Sequence, residues 1–287
     1  MHPPAKRSLH IARSVTEALE ARARLGDNAE FFAGGTWIMR ADRREEFEDR
    51  HYISIGGIEA LAGILISKDD VVIGASTSHA ELAAALTEVA GFRALQVAAE
   101  KSANPAIRNL ATVGGNICTG GFAAADLVPA LLCLSASLEF SGADGLERVP
   151  LETFLKTRSA VLPGRILTRM IVPRRPRRSA HARLPLKKAG DYPVAIVSAS
   201  FALGENGAVE DAVIAVGSVE HSARRWTALE TAIRGLRPTS ADVVALAKET
   251  AGEFQGRDGV EAPGWYRVKV LPELARRAFE DLAERKV

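Results

Sequence analysis

The 287-residue sequence is poor in the side chains that build metal clusters and covalent frameworks. It has two cysteines, Cys118 and Cys133. Two thiols cannot make a disulfide framework, a four-cysteine iron–sulfur cluster or a cysteine-rich zinc module. Long apolar runs are missing too. The longest are Ile58–Ile66, interrupted by Glu59, and Leu127–Leu134, far short of the ~20 residues that cross a bilayer. Nor is there an excess of either charge. Lys and Arg number 37 against 35 Asp and Glu, leaving +2, a field too weak to make nucleic acid the main partner. Met1 to Arg13 is mixed and polar, without the apolar segment of a secretion signal. The expectation from these absences is a cytoplasmic protein with neither a membrane nor a nucleic-acid partner.

What is present is ordinary globular composition, 47% hydrophobic and 25% charged, enough to bury a full core. The chain reads as three units: residues 1–57, 58–175 and 179–287. In the first, the Ser14-Val-Thr-Glu17 capping box opens a helix with Val15, Ala18, Leu19 and Ala23, ending near Gly26. Strands are expected at Glu30–Ala33 and His51–Ile55. The charged stretch Arg40–Arg50 between them reads as a solvated loop or an exposed helical turn. The second unit has a strand at Val71–Ile73 and a second capping box, Ser78-His-Ala-Glu81. Its helix carries Leu82, Leu86 and Val89 on one face. Further helices are expected at Phe92–Lys101 and Leu127–Leu134, with Asp126 at the N-cap of the latter. A turn is expected at Gly142–Gly145 and a strand at Ile166–Val172.

Pro173-Arg-Arg-Pro-Arg-Arg178 reads as a solvated connector, since two prolines and four arginines in six residues pack poorly in a core. Beyond it, strands are expected at Leu184–Lys188, Val194–Leu203 and within Val209–Val219. Glu205-Asn-Gly207 reads as a hairpin turn. Helices follow at Ser222–Leu236, Ser240–Phe254 and Trp265–Arg285, where Pro272 must start, break or kink the last one. The third unit is thus expected to be an antiparallel sheet with helices on one side.

Two glycine pairs carry chemical information. Ala33-Gly-Gly-Thr36 and Thr112-Val-Gly-Gly-Asn116 each follow an apolar segment. Glycine lets backbone N–H groups approach a pyrophosphate closely, and successive N–H groups in a turn form an anion nest. Two such loops can clamp one dinucleotide, or each can be only a tight turn. Neither fits the Gly-x-Gly-x-x-Gly fingerprint, and no Walker A lysine motif is present.

In context these segments resemble a known family. The pattern comprises Phe32-Ala-Gly-Gly-Thr36, Val72-Ile-Gly-Ala-Ser-Thr-Ser-His-Ala-Glu-Leu82 and Asn104-Pro-Ala-Ile-Arg-Asn-Leu-Ala-Thr-Val-Gly-Gly-Asn-Ile-Cys118. It continues with Ala125-Asp-Leu-Val-Pro129, Pro163-Gly-Arg-Ile-Leu167, Leu186-Lys-Lys-Ala-Gly-Asp-Tyr192 and Tyr266-Arg267. It resembles the FAD-binding (medium) subunit of molybdenum hydroxylases, the group of xanthine dehydrogenase FAD subunits and carbon monoxide dehydrogenase medium subunits, over nearly the whole chain. The resemblance implies an α+β protein. A two-part FAD-binding domain of the vanillyl-alcohol-oxidase (PCMH) type is followed by a small α+β C-terminal domain with an antiparallel sheet.

It also implies roles. Ala33, Gly34, Gly35, Thr36, Trp37 and Ile38 are expected around the pyrophosphate and ribityl of noncovalent FAD. Thr112, Val113, Gly114, Gly115 and Asn116 are expected on the other side. Leu167 is expected to present backbone to the isoalloxazine. Asp126 is either a flavin contact or only a helix cap. Lys187 is either near the ring's polar edge or a solvated strand residue. Tyr192 is a ring neighbour or a rim aromatic, and Thr77 a cofactor hydroxyl or a helix-start residue. His79 and Cys118 read as structural. Trp37 departs from the Asp, Ser or Asn that many relatives carry there. No catalytic side chain and no metal ligand is expected. The implied function is electron transfer: electrons arrive from a small subunit with 2Fe–2S clusters, fed by a large molybdopterin subunit, in a heterotrimer that dimerises. The rival readings are a stand-alone flavin oxidoreductase of the same fold and a cofactor-free scaffold.

Overall fold

Parallel pairing of short strands begins the chain. The computed structural model describes residues 7–40, 49–186 and 192–283. Strand β1 (Arg7–Ile11), helix α1 (Val15–Leu25), β2 (Ala29–Phe32) and β3 (Arg50–Ser54) come first. They make a parallel sheet in the order β1-β3-β2. Ser14 caps α1 by accepting from the Glu17 amide, but the Glu17 carboxylate accepts from Arg13 rather than from Ser14, so the expected capping box closes one residue upstream. Gly26, at φ 77°, ends the helix. Ala18, Ala21, Ile53, Ile58 and Leu61 form the core here, joined by Ile166 from much later in the chain.

The middle of the chain builds a five-stranded antiparallel sheet. Its strands are β4 (Ile64–Ile66), β5 (Asp70–Gly74), β6 (Ser137–Gly142), β7 (Gly145–Pro150) and β8 (Ile166–Pro173). The order is β4-β5-β8-β6-β7. Between β5 and β6 lie α2 (His79–Ala85), α3 (Arg93–Lys101), α4 (Pro105–Arg108), α5 (Val113–Cys118) and α6 (Leu127–Cys133); α7 (Leu151–Val161) follows β7. The Ser78/Glu81 capping box forms in both directions. All seven residues of α6 are buried, so its apolar run is a core helix. The expected loop at Thr112–Asn116 is instead the start of α5, with Thr112 as its N-cap.

The last part is a four-stranded antiparallel sheet. It is formed by β9 (Arg178–Pro185), β10 (Pro193–Leu203), β11 (Val209–Gly217) and the short β12 (Arg224–Arg225), ordered β12-β11-β10-β9. Helices α8 (Thr227–Ile233), α9 (Ser240–Thr250), α10 (Gly264–Lys269) and α11 (Leu271–Ala283) complete it. Pro272 lies in the first turn of α11, where its missing N–H is harmless. These helices cover one face, as expected. The other face is covered too, by α3 and α6. Strand alternation makes this explicit: Val213 and Ala215 of β11 enter the middle core, whereas Ala212, Ile214 and Val216 enter the C-terminal one. Burial on both faces explains the unbroken buried run from Pro193 to Phe201.

The arginine-rich connector is not wholly solvated. The Arg177 guanidinium is buried against the Asp211 carboxylate at 2.8 Å and the Ser200 carbonyl at 3.2 Å. Ser179, just after it, donates to the Gly91 carbonyl and accepts from the Ala94 amide, tying β9 to the start of α3.

Candidate functional site

A cavity of about 970 Å³ lies where the three parts of the chain meet. That is the upper end of the size range of small-molecule sites. The segment 33–38 forms one side of it. Gly34 passes so close to the Leu110 carbonyl that a Cβ would sit 1.7 Å from its oxygen, and Gly35 adopts φ 68°. Glycine is therefore required twice, for close approach and for left-handed backbone. Among the described residues, the amides of Gly34, Gly35 and Thr36 donate to no protein acceptor. Three successive amides at a cavity wall are thus left available to an anion.

The second glycine pair works differently. Val113 donates to the Thr77 carbonyl at 2.9 Å, Gly114 to the Ala75 carbonyl at 2.8 Å, Gly115 to the Thr112 hydroxyl at 3.1 Å and Asn116 to the Thr112 carbonyl at 3.0 Å. All four amides are engaged within the protein. Gly114 is there because a Cβ would lie 2.8 Å from the Ala75 oxygen. Thr112, Gly114, Gly115 and Asn116 thus supply cavity wall, not a second nest.

The wall carries six basic side chains, Arg22, Arg40, Arg50, Lys156, Arg158 and Arg165, and Glu30 is the one carboxylate among the described lining residues. Four of the six are ion-paired: Arg22 with Asp27 at 3.3 Å, Arg50 with Glu30 at 2.6 Å, Lys156 with Glu152 at 3.2 Å, and Arg165 with Glu147. Arg158 donates to the Thr119 carbonyl and stacks over the Phe154 ring. Three aromatic rings stand in a row: Trp37 to Phe122 at 4.9 Å between centroids, and Phe122 to Tyr192 at 5.3 Å. Arg40 donates to the Tyr192 hydroxyl at 2.8 Å.

Of the residues expected at the site, Ala33, Gly34, Gly35, Thr36, Trp37, Ile38, Thr112, Gly114, Gly115, Asn116, Leu167 and Tyr192 all line this cavity. Thr77, Val113 and Asp126 do not. Thr77 is buried and donates to the Gly63 carbonyl at 3.1 Å. Val113 is in the apolar core. Asp126 is buried against Arg183 of β9, with Nε to Oδ1 at 2.8 Å, and His181 lies 3.8 Å away. It does not cap α6 either: its backbone is already helical, and the Asn116 side-chain Oδ1 accepts from the Leu127 amide instead. Lys187 and most of the Arg40–Arg50 stretch lie outside the described residues.

Sequence reasoning missed the α7 side of the cavity, with Lys156, Arg158 and Arg165, because that helix has weak periodicity and its basic residues look like ordinary surface. It also set aside His79, which lines the cavity. Its Nδ1 lies 2.7 Å from the Ser102 hydroxyl. Its pKa falls from 6.5 to about 4; burial is the main cause, the Thr112 backbone opposes it and the Arg108 charge adds to it. The ring is neutral at neutral pH. Cys118 also lines the cavity, its thiol pushed up to about 12 by burial and only partly offset by Arg158. Burial thus disfavours the thiolate that a nucleophile needs.

A roomy cavity with an amide nest, a cationic wall and an aromatic end fits an anionic dinucleotide with a large conjugated ring. Residues 5–175 match the family described as the FAD binding domain in molybdopterin dehydrogenase. The chain belongs to that family. Residues 183–282 match the CO dehydrogenase flavoprotein C-terminal domain. This molybdopterin-dehydrogenase flavoprotein is 29% identical to the 6-hydroxypseudooxynicotine dehydrogenase complex subunit alpha of Paenarthrobacter nicotinovorans, over 94% of this chain and 92% of that one. It is 29% identical to the carbon monoxide dehydrogenase medium chain of Afipia carboxidovorans, over 96% of each. Its fold superposes on a chain of carbon monoxide dehydrogenase from Hydrogenophaga pseudoflava with a TM-score of 0.89 at 26% identity, covering 100% of both. The family thus carries an FAD-binding domain followed by a C-terminal domain with an antiparallel sheet, as the resemblance implied. No helix among the described residues is long and apolar enough to cross a membrane.

Proposed function

We propose that this chain is the FAD-carrying electron-transfer subunit of a molybdenum hydroxylase or dehydrogenase complex. The observation that carries the reading is the row of amides at Gly34, Gly35 and Thr36, which have no acceptor among the described residues, in the wall of a cavity that also carries six basic side chains. That arrangement suits a pyrophosphate. FAD, when bound, would supply the two-electron exchange. The chain's own residues hold and shield it. The 34–36 amides and the cationic wall take the phosphates. Thr112, Gly114, Gly115 and Asn116 form the opposite wall, and Leu167 and Tyr192 border the ring. Asp126 is proposed here as a structural partner of Arg183 rather than a flavin contact.

Among the described residues, no acid–base pair faces the cavity in a form suited to substrate chemistry: His79 is a buried neutral ring held at Nδ1 by Ser102. This supports a relay over a stand-alone oxidoreductase. The partners proposed are a small 2Fe–2S subunit and a large molybdopterin subunit, in a cytoplasmic heterotrimer that dimerises. The proposed divisions are residues 1–57, 58–175 and 179–287.

Purification from the native host tests the proposal. The expected result is a yellow complex of three kinds of chain containing iron, acid-labile sulfide and molybdenum. The separated full-length chain should keep FAD yet oxidise no purine, aldehyde or N-heterocycle with artificial dyes. Turnover of such a substrate by the chain alone would sink the relay and favour a self-sufficient flavoenzyme.

A further inference from the structure

We propose that Trp37 is a stacking partner of the flavin ring in this protein, and that Phe122, Tyr192 and Arg40 hold the aromatic face it belongs to. The inference rests on the FAD reading above and deepens it. Three observations support it. The rings of Trp37, Phe122 and Tyr192 come from three separate parts of the chain, yet touch in sequence at centroid distances of 4.9 and 5.3 Å. All three are half-buried and line the cavity. Trp37 also follows directly on the amide nest. Its Cα is one peptide unit, ~3.8 Å, from that of Thr36, so a ligand with phosphates at the nest has its adjoining half within reach of the indole.

The cavity has a second aromatic pair, Phe32 and Tyr52, meeting edge to face at 6.0 Å. The Glu30–Arg50 ion pair neighbours it: Glu30 is the strand partner of Tyr52, and Arg50 lies on the same strand as Tyr52. That polar surrounding suits a hydrogen-bonding nucleobase. The Trp37–Phe122–Tyr192 row presents three aromatic rings in succession and suits the larger conjugated ring. Arg40 fixes the far end of the row by donating to the Tyr192 hydroxyl at 2.8 Å. Offset or tilted stacking is the favoured geometry for such rings.

The chemistry of the pair makes a specific claim. Indole is electron-rich and oxidised isoalloxazine is electron-poor. Stacking therefore stabilises the oxidised flavin over the reduced one and lowers its reduction potential. The same contact lets the indole quench flavin fluorescence by transient electron donation, with the electron returning to the indole.

The test uses the full-length chain reconstituted with FAD, as wild type, Trp37→Phe and Trp37→Ser. Bound FAD is measured by visible absorbance after desalting, and flavin emission is normalised to it. The expected result, per bound FAD, is flavin emission severalfold brighter in Trp37→Ser and intermediate in Trp37→Phe. The flavin midpoint potential is expected to be less negative in Trp37→Ser. Equal dimness and equal potential in all three proteins, with FAD fully bound, would overturn the stacking while leaving the FAD reading intact. Failure of the wild type to retain FAD would overturn the FAD reading and the stacking with it. Should Trp37→Ser fold poorly, FAD titration of the other two proteins decides. Trp226 is buried in the C-terminal core and Trp265 is exposed on α10. The fractional loss of tryptophan emission on adding FAD should then be larger in wild type than in Trp37→Phe; equal fractional losses would reject the contact.

Discussion

Neighbouring glycines of one motif meet different demands, and substitution separates them. Gly35→Ala places an ordinary residue at φ 68°, with only van der Waals contacts to Phe32 and Met39, a cost of about 1–2 kcal/mol. Gly34→Ala drives a methyl into the Leu110 carbonyl and should exceed the about 1–3 kcal/mol typical of overpacking. Urea midpoints of the two variants should rank accordingly, and a reversed order would show that the chain does not pass Leu110 so closely. Gly114→Ala, against the Ala75 oxygen at 2.8 Å, belongs with Gly34. It reports on folding rather than on phosphate binding. Arg267 shows how little burial a sequence can announce for a charged residue. It is fully buried and donates to the carbonyls of Val194, Ser218 and Arg257 and to the Glu261 carboxylate. Arg267→Met leaves these acceptors unpaired and should cost about 3–5 kcal/mol, read as a drop in denaturant midpoint. The Tyr266-Arg267 pair stood out only through resemblance, since neither periodicity nor charge pattern singles out a saturated buried cation.

Elements were legible where local chemistry decides them. The Ser78 and Ser14 caps, the Gly26 stop, the Gly142–Gly145 hairpin and the buried α6 all follow from side chains a few residues apart. Elements decided by distant partners were not. Strand β1 has an exposed, irregular pattern and exists because β3 pairs with it. Strand β9 begins at Arg178, inside what reads as a solvated connector, because β10 accepts it as a neighbour. The Thr112–Asn116 segment looked like a loop because glycine pairs favour turns; it is helical because Thr112 caps it and the Ala75 and Thr77 carbonyls receive its first amides. Thr112→Ala removes the acceptor for Gly115 and should destabilise by about 1 kcal/mol. Thr112→Ser should restore most of that in the same thermal melt.

For the whole molecule, two buried histidines make stability sensitive to acid. His79 falls to about 4 and His181 is also lowered, both mainly by burial. The folded state then resists protonation that the unfolded chain accepts. The His79 contribution is complete above about pH 6.5 and is lost as the pH falls toward 4. That amounts to about 2 kcal/mol by pH 5. Urea midpoints should drop between about pH 7.5 and 5, and His79→Leu should flatten that dependence. An unchanged slope in the variant would place the sensitivity elsewhere. The cationic cavity wall is equally a property of the assembled molecule. Arg22, Arg50, Arg158 and Arg165 are scattered over most of the first domain, so no local window of sequence shows them converging.

Strand β11 faces two cores at once, giving Val213 and Ala215 to one and Ile214 and Val216 to the other. This bears on how such proteins can be recombined. A crossover placed in the connector near Pro173 would join an α6 from one parent to a β11 from another, and their side chains would no longer match. Chimaeras between relatives should therefore survive only when α3, α6 and the C-terminal sheet come from the same parent. The unit of inheritance here is the shared core, not the stretch of chain between two linkers.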